Sequence, residues 1–309
     1  MVETGEIEAA AAGAAGRYME ALAQAIPDIE SRIAAFIERA CLVGPLEHYK
    51  HFPAELHELA AEIERTHGLE TRRSFLRAVL TRTVQGTVAG APYRNLPPLT
   101  ASNQARHLLR IAQDSNTEAD WLSMDQDLFQ KEFGLASLRL YAAGSQLVDP
   151  RCGVPRSTVI QEGMRSAPSK FLAIGRLGGF KPYFQIHTHS FNLDAFHEQG
   201  WEECYRCCAE LYDVHPEVLG MYGSSWFYDP ALDIVSPRLA YLRTTPCSNG
   251  ALLMFVARGG EAIANATATS ASRRALMDAG TYMPTNYMLI WGRDAQRAWA
   301  KQSGGRQAG

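Results

Sequence analysis

The spacing of apolar residues changes near Phe133, and this change limits the folds that the chain can adopt. Before that point apolar residues recur at helical spacing, for example between positions 56 and 63. After it, short apolar or alternating runs separated by Gly, Pro and Asp predict strands that alternate with helices. The pattern predicts an α+β protein: a helical region over residues 1–130, a mixed, mostly antiparallel sheet flanked by helices over 131–300, and a disordered tail over 301–309.

The individual elements can be placed from the same pattern. Strands are predicted over residues 135–141, 146–148, 158–160, 183–189, 218–227, 252–257 and 287–291. Helices within the second region are predicted over residues 195–212, 236–242 and 270–279, followed by a terminal helix that ends near residue 299. Because 309 residues are enough for two domains, we predict a domain boundary near residue 130.

Composition and charge argue against several classes of function. The net charge is −3 and no face is rich in Lys and Arg, which disfavours a nucleic-acid partner. No run approaches the roughly 18 apolar residues that predict a membrane-spanning helix. The N-terminus is acidic and lacks the basic start of a signal peptide, and without an export signal the six cysteines are expected to stay reduced. We therefore expect a cytoplasmic protein with no nucleic-acid and no membrane partner.

The segment Phe184-Gln-Ile-His-Thr-His-Ser190 carries the strongest chemical signal. Side chains alternate along a strand, so His187 and His189 are predicted to share one face, with their Cα atoms roughly 6.5–7 Å apart. Two imidazoles in that arrangement can bind a metal, act as a general base or proton relay, or line a polar crevice.

A metal site needs at least one further ligand beside the two histidines. His197 is the nearest candidate, and Asp194, Glu198 and Glu202 are alternatives in the same stretch. This hypothesis describes a metal-dependent enzyme that uses non-haem iron or zinc. A third hypothesis is a non-catalytic ligand-binding or scaffold protein that uses the same crevice.

The order of elements over about residues 130–292 resembles the Gcn5-related N-acetyltransferase fold. In that family the fourth strand leads into a loop with the pattern Gln/Arg-x-x-Gly-x-Gly/Ala, whose amides bind the pyrophosphate of acyl-CoA at a helix N-terminus. Gln199 and Gly200 are similar to the Gln-Gly pair of that loop, so the resemblance implies that they bind the cofactor. Trp201 and Glu202 stand where the family has more glycine, so the loop is degraded.

The histidine pair agrees with the same resemblance. Arylalkylamine N-acetyltransferases look similar in placing two histidines one residue apart on this strand, where they deprotonate the substrate amine. The resemblance therefore implies that His187 and His189 are general bases.

Two further constellations suit this reaction. If the sheet splays between the histidine strand and the strand over residues 218–227, Tyr228 or Ser225 would line the opening as a proton donor. The alternative is that these residues belong to a well-packed central strand. Arg238 and Arg273 lie at predicted helix starts, where arginines suit a carboxylate or phosphate, so we predict that they bind the cofactor. The alternative for both arginines is a solvated helix face.

The cysteines between positions 204 and 208 predict packing rather than chemistry. Cys204, Cys207 and Cys208 share a face of the predicted helix with Leu211, as expected for the apolar stripe that packs on a sheet. The preferred hypothesis is therefore an enzyme that transfers an acyl group from acyl-CoA to a small-molecule amine. The N-terminal helices are candidates for a homodimer interface, a lid or a docking platform.

Overall fold

The chain is an α+β protein with a helical N-terminal region, followed by strands of a mixed, mostly antiparallel sheet that helices flank. A computed structural model describes three ranges, residues 2–42, 48–113 and 120–305. It divides into two compact units: Met1–Arg151 with His189–Phe191, and Cys152–Thr188 with Asn192–Gly309. The first unit extends past the expected boundary near residue 130, because it includes a β-hairpin as well as the helices.

The first unit, called the helical unit below, contains seven α-helices and the hairpin in its described residues. The helices are α1 (Thr4–Ala23), α2 (Ile29–Cys41), α3 (Ala54–His67), α4 (Leu69–Ala89), α5 (Ala91–Arg94), α6 (Pro98–Gln113) and α7 (Asp127–Ala136). Strands β1 (Tyr141–Ala143) and β2 (Gln146–Cys152) form an antiparallel hairpin whose turn contains Gly144 at a φ of +52°. A buried aromatic core holds the helices together, with Phe36, Phe75, Phe129 and Phe133 at 0% exposure.

The predicted strand over residues 135–141 was wrong. Helix α7 continues to Ala136, the backbone turns at Leu138 with a φ of +57°, and β1 begins only at Tyr141. Leu135 and Leu140 are both fully buried, but one lies on the helix and the other in the turn. Their apparent alternation therefore came from two consecutive elements that face the same core.

The second unit, called the sheet unit, is built on four strands. These are β3 (Tyr183–Thr188), β4 (Gly220–Ser225), β5 (Leu252–Arg258) and β6 (Thr285–Gly292), in the order β3-β4-β6-β5. The pairs β4/β6 and β5/β6 are antiparallel, whereas β3/β4 is parallel. A parallel pair needs a crossover connection, and helix α9 (Glu198–Val214) provides it.

Besides α9, the described residues of the sheet unit form six α-helices. They are α8 (Ala167–Arg176), α10 (Leu232–Val235), α11 (Tyr241–Ser248), α12 (Glu261–Thr267), α13 (Ala271–Asp278) and α14 (Arg293–Gly305). The predicted apolar stripe on α9 is confirmed, since Cys204, Cys207, Cys208 and Leu211 are all at 0% exposure. Burial raises the pKa of the Cys204 thiol well above its usual range, as expected for a packing residue.

Three predicted boundaries in this unit differ from the structure. Residues 156–159 form a 3₁₀ turn where a strand over 158–160 was expected. Strand β4 ends at Ser225, and Trp226–Tyr228 form another 3₁₀ turn. Helix α14 includes residues 301–305 of the expected tail, and residues 306–309 lie outside the described residues. Over the described ranges, no helix combines the length and the apolar character that a bilayer span requires.

Candidate functional site

Strands β3 and β4 pair over only a short distance. Two residue pairs of these strands are in register, Phe184 with Met221 and Gln185 with Tyr222. Both strands continue for three more residues, to Thr188 and to Ser225, without a further registered pair. The two strands therefore part at their carboxyl ends, which is where ligands bind between parallel strands. We call this region the strand opening.

The hydroxyl group of Tyr228 lies at the strand opening. A Cβ atom placed on Gly223 would be 2.9 Å from this hydroxyl oxygen and 2.8 Å from Cγ1 of Ile186, so glycine is needed for the phenol to reach β4. Tyr228 is at 0% exposure, and its hydroxyl has no hydrogen-bond partner among the described residues. Burial raises the pKa of this phenol well above its usual range, so it stays protonated and can donate a proton.

His187 lies on β3 and is half-buried. It alternates with Gln185, whose side-chain oxygen accepts a 2.7 Å hydrogen bond from the hydroxyl of Tyr222. Ile186 faces the other side of β3, toward Gly223 and Tyr228. By strand alternation His187 and Tyr228 therefore approach the strand opening from opposite faces of the sheet. Ser225 is half-buried at the last position of β4.

His189 has a different environment from His187. Strand β3 ends at Thr188, and His189 belongs to the helical unit, where it is 1% exposed. Its Nδ1 accepts a 3.1 Å hydrogen bond from the backbone N–H of Phe191, and its Nε2 lies 3.4 Å from Oε1 of Glu132. An accepting Nδ1 requires the proton to be on Nε2, so neither ring nitrogen presents a free lone pair to a substrate.

Glu132 is the centre of a buried ionic network in the helical unit. Its Oε2 accepts a 2.5 Å hydrogen bond from Nη2 of Arg110, which also lies 3.3 Å from Nδ1 of His107. The rings of His107 and His189 are edge to face at 5.5 Å, and the Arg110 guanidinium lies 4.6 Å from the ring centre of Phe191. Burial raises the pKa of Glu132, but the interactions with His189 and Arg110 outweigh it and lower the pKa to about 2. The carboxylate therefore stays ionised although it is buried.

Sequence analysis missed Glu132, although a signal was present. Glu132 precedes Phe133 directly and lies three residues after Phe129, which places a carboxylate beside the apolar face of α7. A charged residue in that position requires a partner, because an unpaired buried charge is costly. Nothing in the sequence indicates that the partners are Arg110 and His189.

The first turn of α9 does not have the form of a phosphate-binding loop. The N–H of Gly200 donates a 3.3 Å hydrogen bond to Nδ1 of His197, which caps the helix. A Cβ on Gly200 would be 2.0 Å from the carbonyl oxygen of Ala195, so this glycine allows a close backbone approach. Gln199 and Glu198 are exposed in the same turn, and the Glu198 carboxylate opposes an anion. The diphosphate of acyl-CoA does not fit here.

The predicted metal ligands do not form a cluster within either unit. His187 and His197 belong to the sheet unit and His189 to the helical unit, and Nδ1 of His197 already accepts the Gly200 amide. Within each unit taken by itself, no three His, Cys, Asp or Glu side chains of the described residues bring ligand atoms within 4.8 Å of one another.

Arg273 and Arg238 lie in the sheet unit and have contrasting environments. Arg273, in the first turn of α13, is 5% exposed. Its Nε donates to the carbonyl oxygen of Ala266 at 2.6 Å, and its Nη1 lies 3.4 Å from Oγ of Ser236. Arg238 is exposed in a 3₁₀ turn over Pro237–Leu239.

Comparisons of the chain with protein-family models, with curated proteins and with solved structures return no match. The resemblance to the N-acetyltransferase fold therefore stays an expectation from the sequence.

Proposed function

We propose that the protein is an N-acyltransferase that acts on a small-molecule amine at the strand opening. The observation that carries this proposal is the parallel β3/β4 pair, joined by α9, which separates after two registered residue pairs. A gap between parallel strands exposes backbone amides and carbonyls to a ligand without breaking the sheet elsewhere. Such a gap suits an extended acyl donor that must place its carbonyl beside side chains from both faces.

The two faces provide different chemistry in this proposal. His187 takes the proton of the amine as general base on one face, which allows the nitrogen to attack the acyl carbon. Tyr228 donates its proton to the leaving thiolate on the other face, as the carbon–sulfur bond breaks. Ser225, on the Tyr228 side of β4, is a second donor candidate. Since attack and departure occur on different sides of the acyl carbon, a base and an acid on opposite faces fit the reaction.

The donor in this proposal is an acyl thioester. Because the first turn of α9 does not fit a diphosphate, no step in the proposal depends on that turn. His189 is not assigned a catalytic part, since its ring nitrogens face Phe191 and Glu132. Its part is to fix residues 189–191, directly after the strand that carries His187, by contacts within the helical unit.

A test of this proposal measures thiol release from acetyl-CoA and from acetyl-pantetheine in the presence of a panel of primary amines. We expect turnover of at least one donor, and a loss of about 10²-fold or more in kcat for Tyr228→Phe and for His187→Gln. The Tyr228→Phe variant should fold as well as the wild type, since the deleted hydroxyl has no hydrogen-bond partner among the described residues.

The matched control is Tyr183→Phe, another buried tyrosine of the sheet unit, at the opposite end of β3 from the strand opening. We expect it to retain turnover within about twofold. Absence of turnover and of a thermal shift with both thioesters would remove the transferase proposal and favour the binding-protein hypothesis. A cytoplasmic location and a homodimer through the N-terminal helices stay predictions, which fractionation and light scattering test.

A further inference from the structure

Arg273 is a buried arginine that no carboxylate of the described residues neutralises. The guanidinium contacts a carbonyl oxygen, a hydroxyl group and the ring of Trp226, 4.5 Å from its centre. All three are uncharged. Over residues 2–42, 48–113 and 120–305 no carboxylate lies within 4.0 Å of it, and Nη2 has no hydrogen-bond acceptor. Buried charges in proteins are normally paired, because an isolated ion loses its hydration without compensation.

A second arginine adds to the positive charge at this place. Arg238 is exposed and makes no ion pair within the part of the chain that the structure describes. Nη1 of Arg273 lies 3.4 Å from Oγ of Ser236, and Arg238 follows two residues later in the same segment. Burial lowers the pKa of Arg273, Tyr282 raises it, and the positive charge of Arg238 lowers it further. An anion placed between them would relieve both the desolvation and the repulsion.

Tyr282 supplies an unused hydrogen-bond donor at the end of α13, the helix whose first turn contains Arg273, since its backbone N–H donates to the carbonyl oxygen of Leu276 at 3.2 Å. The residue is 4% exposed, and its hydroxyl is buried without a partner among the described residues. Burial raises the pKa of this phenol, the nearby carboxylate of Asp229 raises it further, and Arg273 acts in the opposite direction. The hydroxyl therefore keeps its proton and can donate it to an anion.

Asp229 does not take the place of that anion. Its Oδ1 accepts the N–H of Ala231 at 3.0 Å, and its Oδ2 accepts the N–H of Thr285 at 3.2 Å. Both carboxylate oxygens are thus engaged by backbone amides that fix the loop and the start of β6. Burial raises the pKa of Asp229, and the backbone bonds, Arg258 and Arg243 lower it.

We propose that Arg273, Arg238 and Tyr282 form a binding site for the oxyanion of a small molecule, a carboxylate or a phosphate. Arg273 is held rigidly by Ala266, Ser236 and Trp226, so its remaining N–H groups are oriented before a ligand arrives. Arg238 is exposed and closes on the ligand from the solvent side. This site is independent of acyl transfer, because it uses no group of the strand opening.

Isothermal titration calorimetry of the full chain with inorganic phosphate and with acetate tests the site and distinguishes the two sources of charge. We expect one of the anions to bind with a Kd of about 1 mM or below. Arg238→Ala should raise that Kd by about 10-fold or more, and Tyr282→Phe by about 3- to 10-fold. Neither residue has a hydrogen bond or ion pair within the described ranges through the group removed, so both variants should fold.

Arg274→Ala is the matched control, because it removes the same charge from the next position of α13. Arg274 donates to the carbonyl oxygen of Thr267 and takes no part in the proposed site. Its Kd for the anion should stay within about twofold of wild type. The proposal is overturned if neither anion binds at ~50 mM, or if Arg274→Ala weakens binding as much as Arg238→Ala. Tight anion binding without thioester turnover would support this site while contradicting the proposed transferase.

Discussion

Each unit contains an arginine that lies over an aromatic ring, half-buried in the helical unit and buried in the sheet unit, and only the first pairs with a carboxylate of the described residues. Arg110 lies 4.6 Å from the ring centre of Phe191 and hydrogen bonds to the buried carboxylate of Glu132. Arg273 lies 4.5 Å from the ring centre of Trp226 and contacts no carboxylate of the described residues. The ring contact is therefore common to both, and the anion is present in one and missing from the other.

This difference separates a structural network from a binding site. The network of Glu132 is complete, because its carboxylate meets a guanidinium and an imidazole and stays ionised. Such a network of paired charges stabilises one arrangement of the helices. The surroundings of Arg273 are incomplete and suit an anion that comes from outside the protein. The sheet unit, which also contains the strand opening, is therefore the unit to which we assign ligand chemistry.

The largest expected effect follows from removing the anion of the complete network. Glu132→Gln keeps the shape of the side chain but removes the buried carboxylate that pairs with the half-buried Arg110, so the free energy of unfolding should fall by about 3–5 kcal/mol. Urea denaturation measures this change. Glu30→Gln is the control, because it breaks an exposed pair with Arg82 in the same unit and should cost about 1 kcal/mol or less. Equal losses in the two variants would mean that the network is not complete.

The contribution of the Glu132 carboxylate should also appear in the pH dependence of the free energy of unfolding. The pKa of Glu132 is lowered from 4.5 to about 2 in the folded protein, so its contribution is present above pH 4.5 and is lost as the pH falls toward 2. This loss amounts to about 3 kcal/mol at the usual value per pKa unit. Denaturation curves between pH 6 and 2, repeated with Glu132→Gln, isolate the part that depends on this residue. If the free energy of unfolding depends on pH equally in the wild type and in Glu132→Gln, Glu132 is not the group responsible.

The two histidines should behave differently, since only one belongs to the network. His189→Asn keeps an acceptor for the Phe191 amide but removes the contact of Nε2 with Glu132, and should lower the free energy of unfolding by about 1–3 kcal/mol. His187→Asn should cost less stability but abolish thioester turnover. Denaturation and turnover assays on the same preparations separate the two effects. If folded His189→Asn loses thioester turnover, His189 has a catalytic role after all.

The smallest expected effect concerns the unpaired hydroxyl beside Arg273. Tyr282→Phe removes a group that has no partner among the described residues, so stability without added anion should change by no more than about 0.5 kcal/mol. Tyr212→Phe is the comparison in the same unit, because its buried hydroxyl donates a 2.6 Å hydrogen bond to Gln296. That change should cost about 1–2 kcal/mol by the same urea measurement. Similar losses in the two variants would show that Tyr282 has a structural partner.

Much of the sheet unit could be predicted from the sequence, because its strands are short apolar runs bounded by turn residues. The predictions for β5 and β6 fall within two residues of the observed bounds on each side. The strand prediction over residues 135–141 failed for a physical reason: burial at Leu135 and Leu140 reflects the core that both residues face and not the element that carries each. The spacing of apolar residues shows which positions are buried, and the type of element has to be inferred from that spacing.

The candidate site could be predicted only in part. His187 and Tyr228 have side chains whose chemistry is evident from residue type, and the two strands before them share two registered pairs. That His189 would differ from His187 could not be predicted, because it depends on Glu132 and Arg110, which are distant in sequence. The sequence also could not predict that Arg273 has no carboxylate partner among the described residues, because that depends on which side chains the fold brings together.

Residues His189–Phe191 belong to the helical unit although the rest of the chain around them belongs to the sheet unit, and this has a consequence for synthesis. A nascent chain released up to residue 151 contains every helix of the first unit but leaves Glu132 without its imidazole. The helical unit therefore cannot reach its final stability on the ribosome until residue 191 has emerged, together with β3. An N-terminal unit often folds fully before the next one is synthesised, but the helical unit needs residues 189–191 from within the sheet unit. Fragments cut at the apparent boundary should be less stable than the same residues in the intact protein.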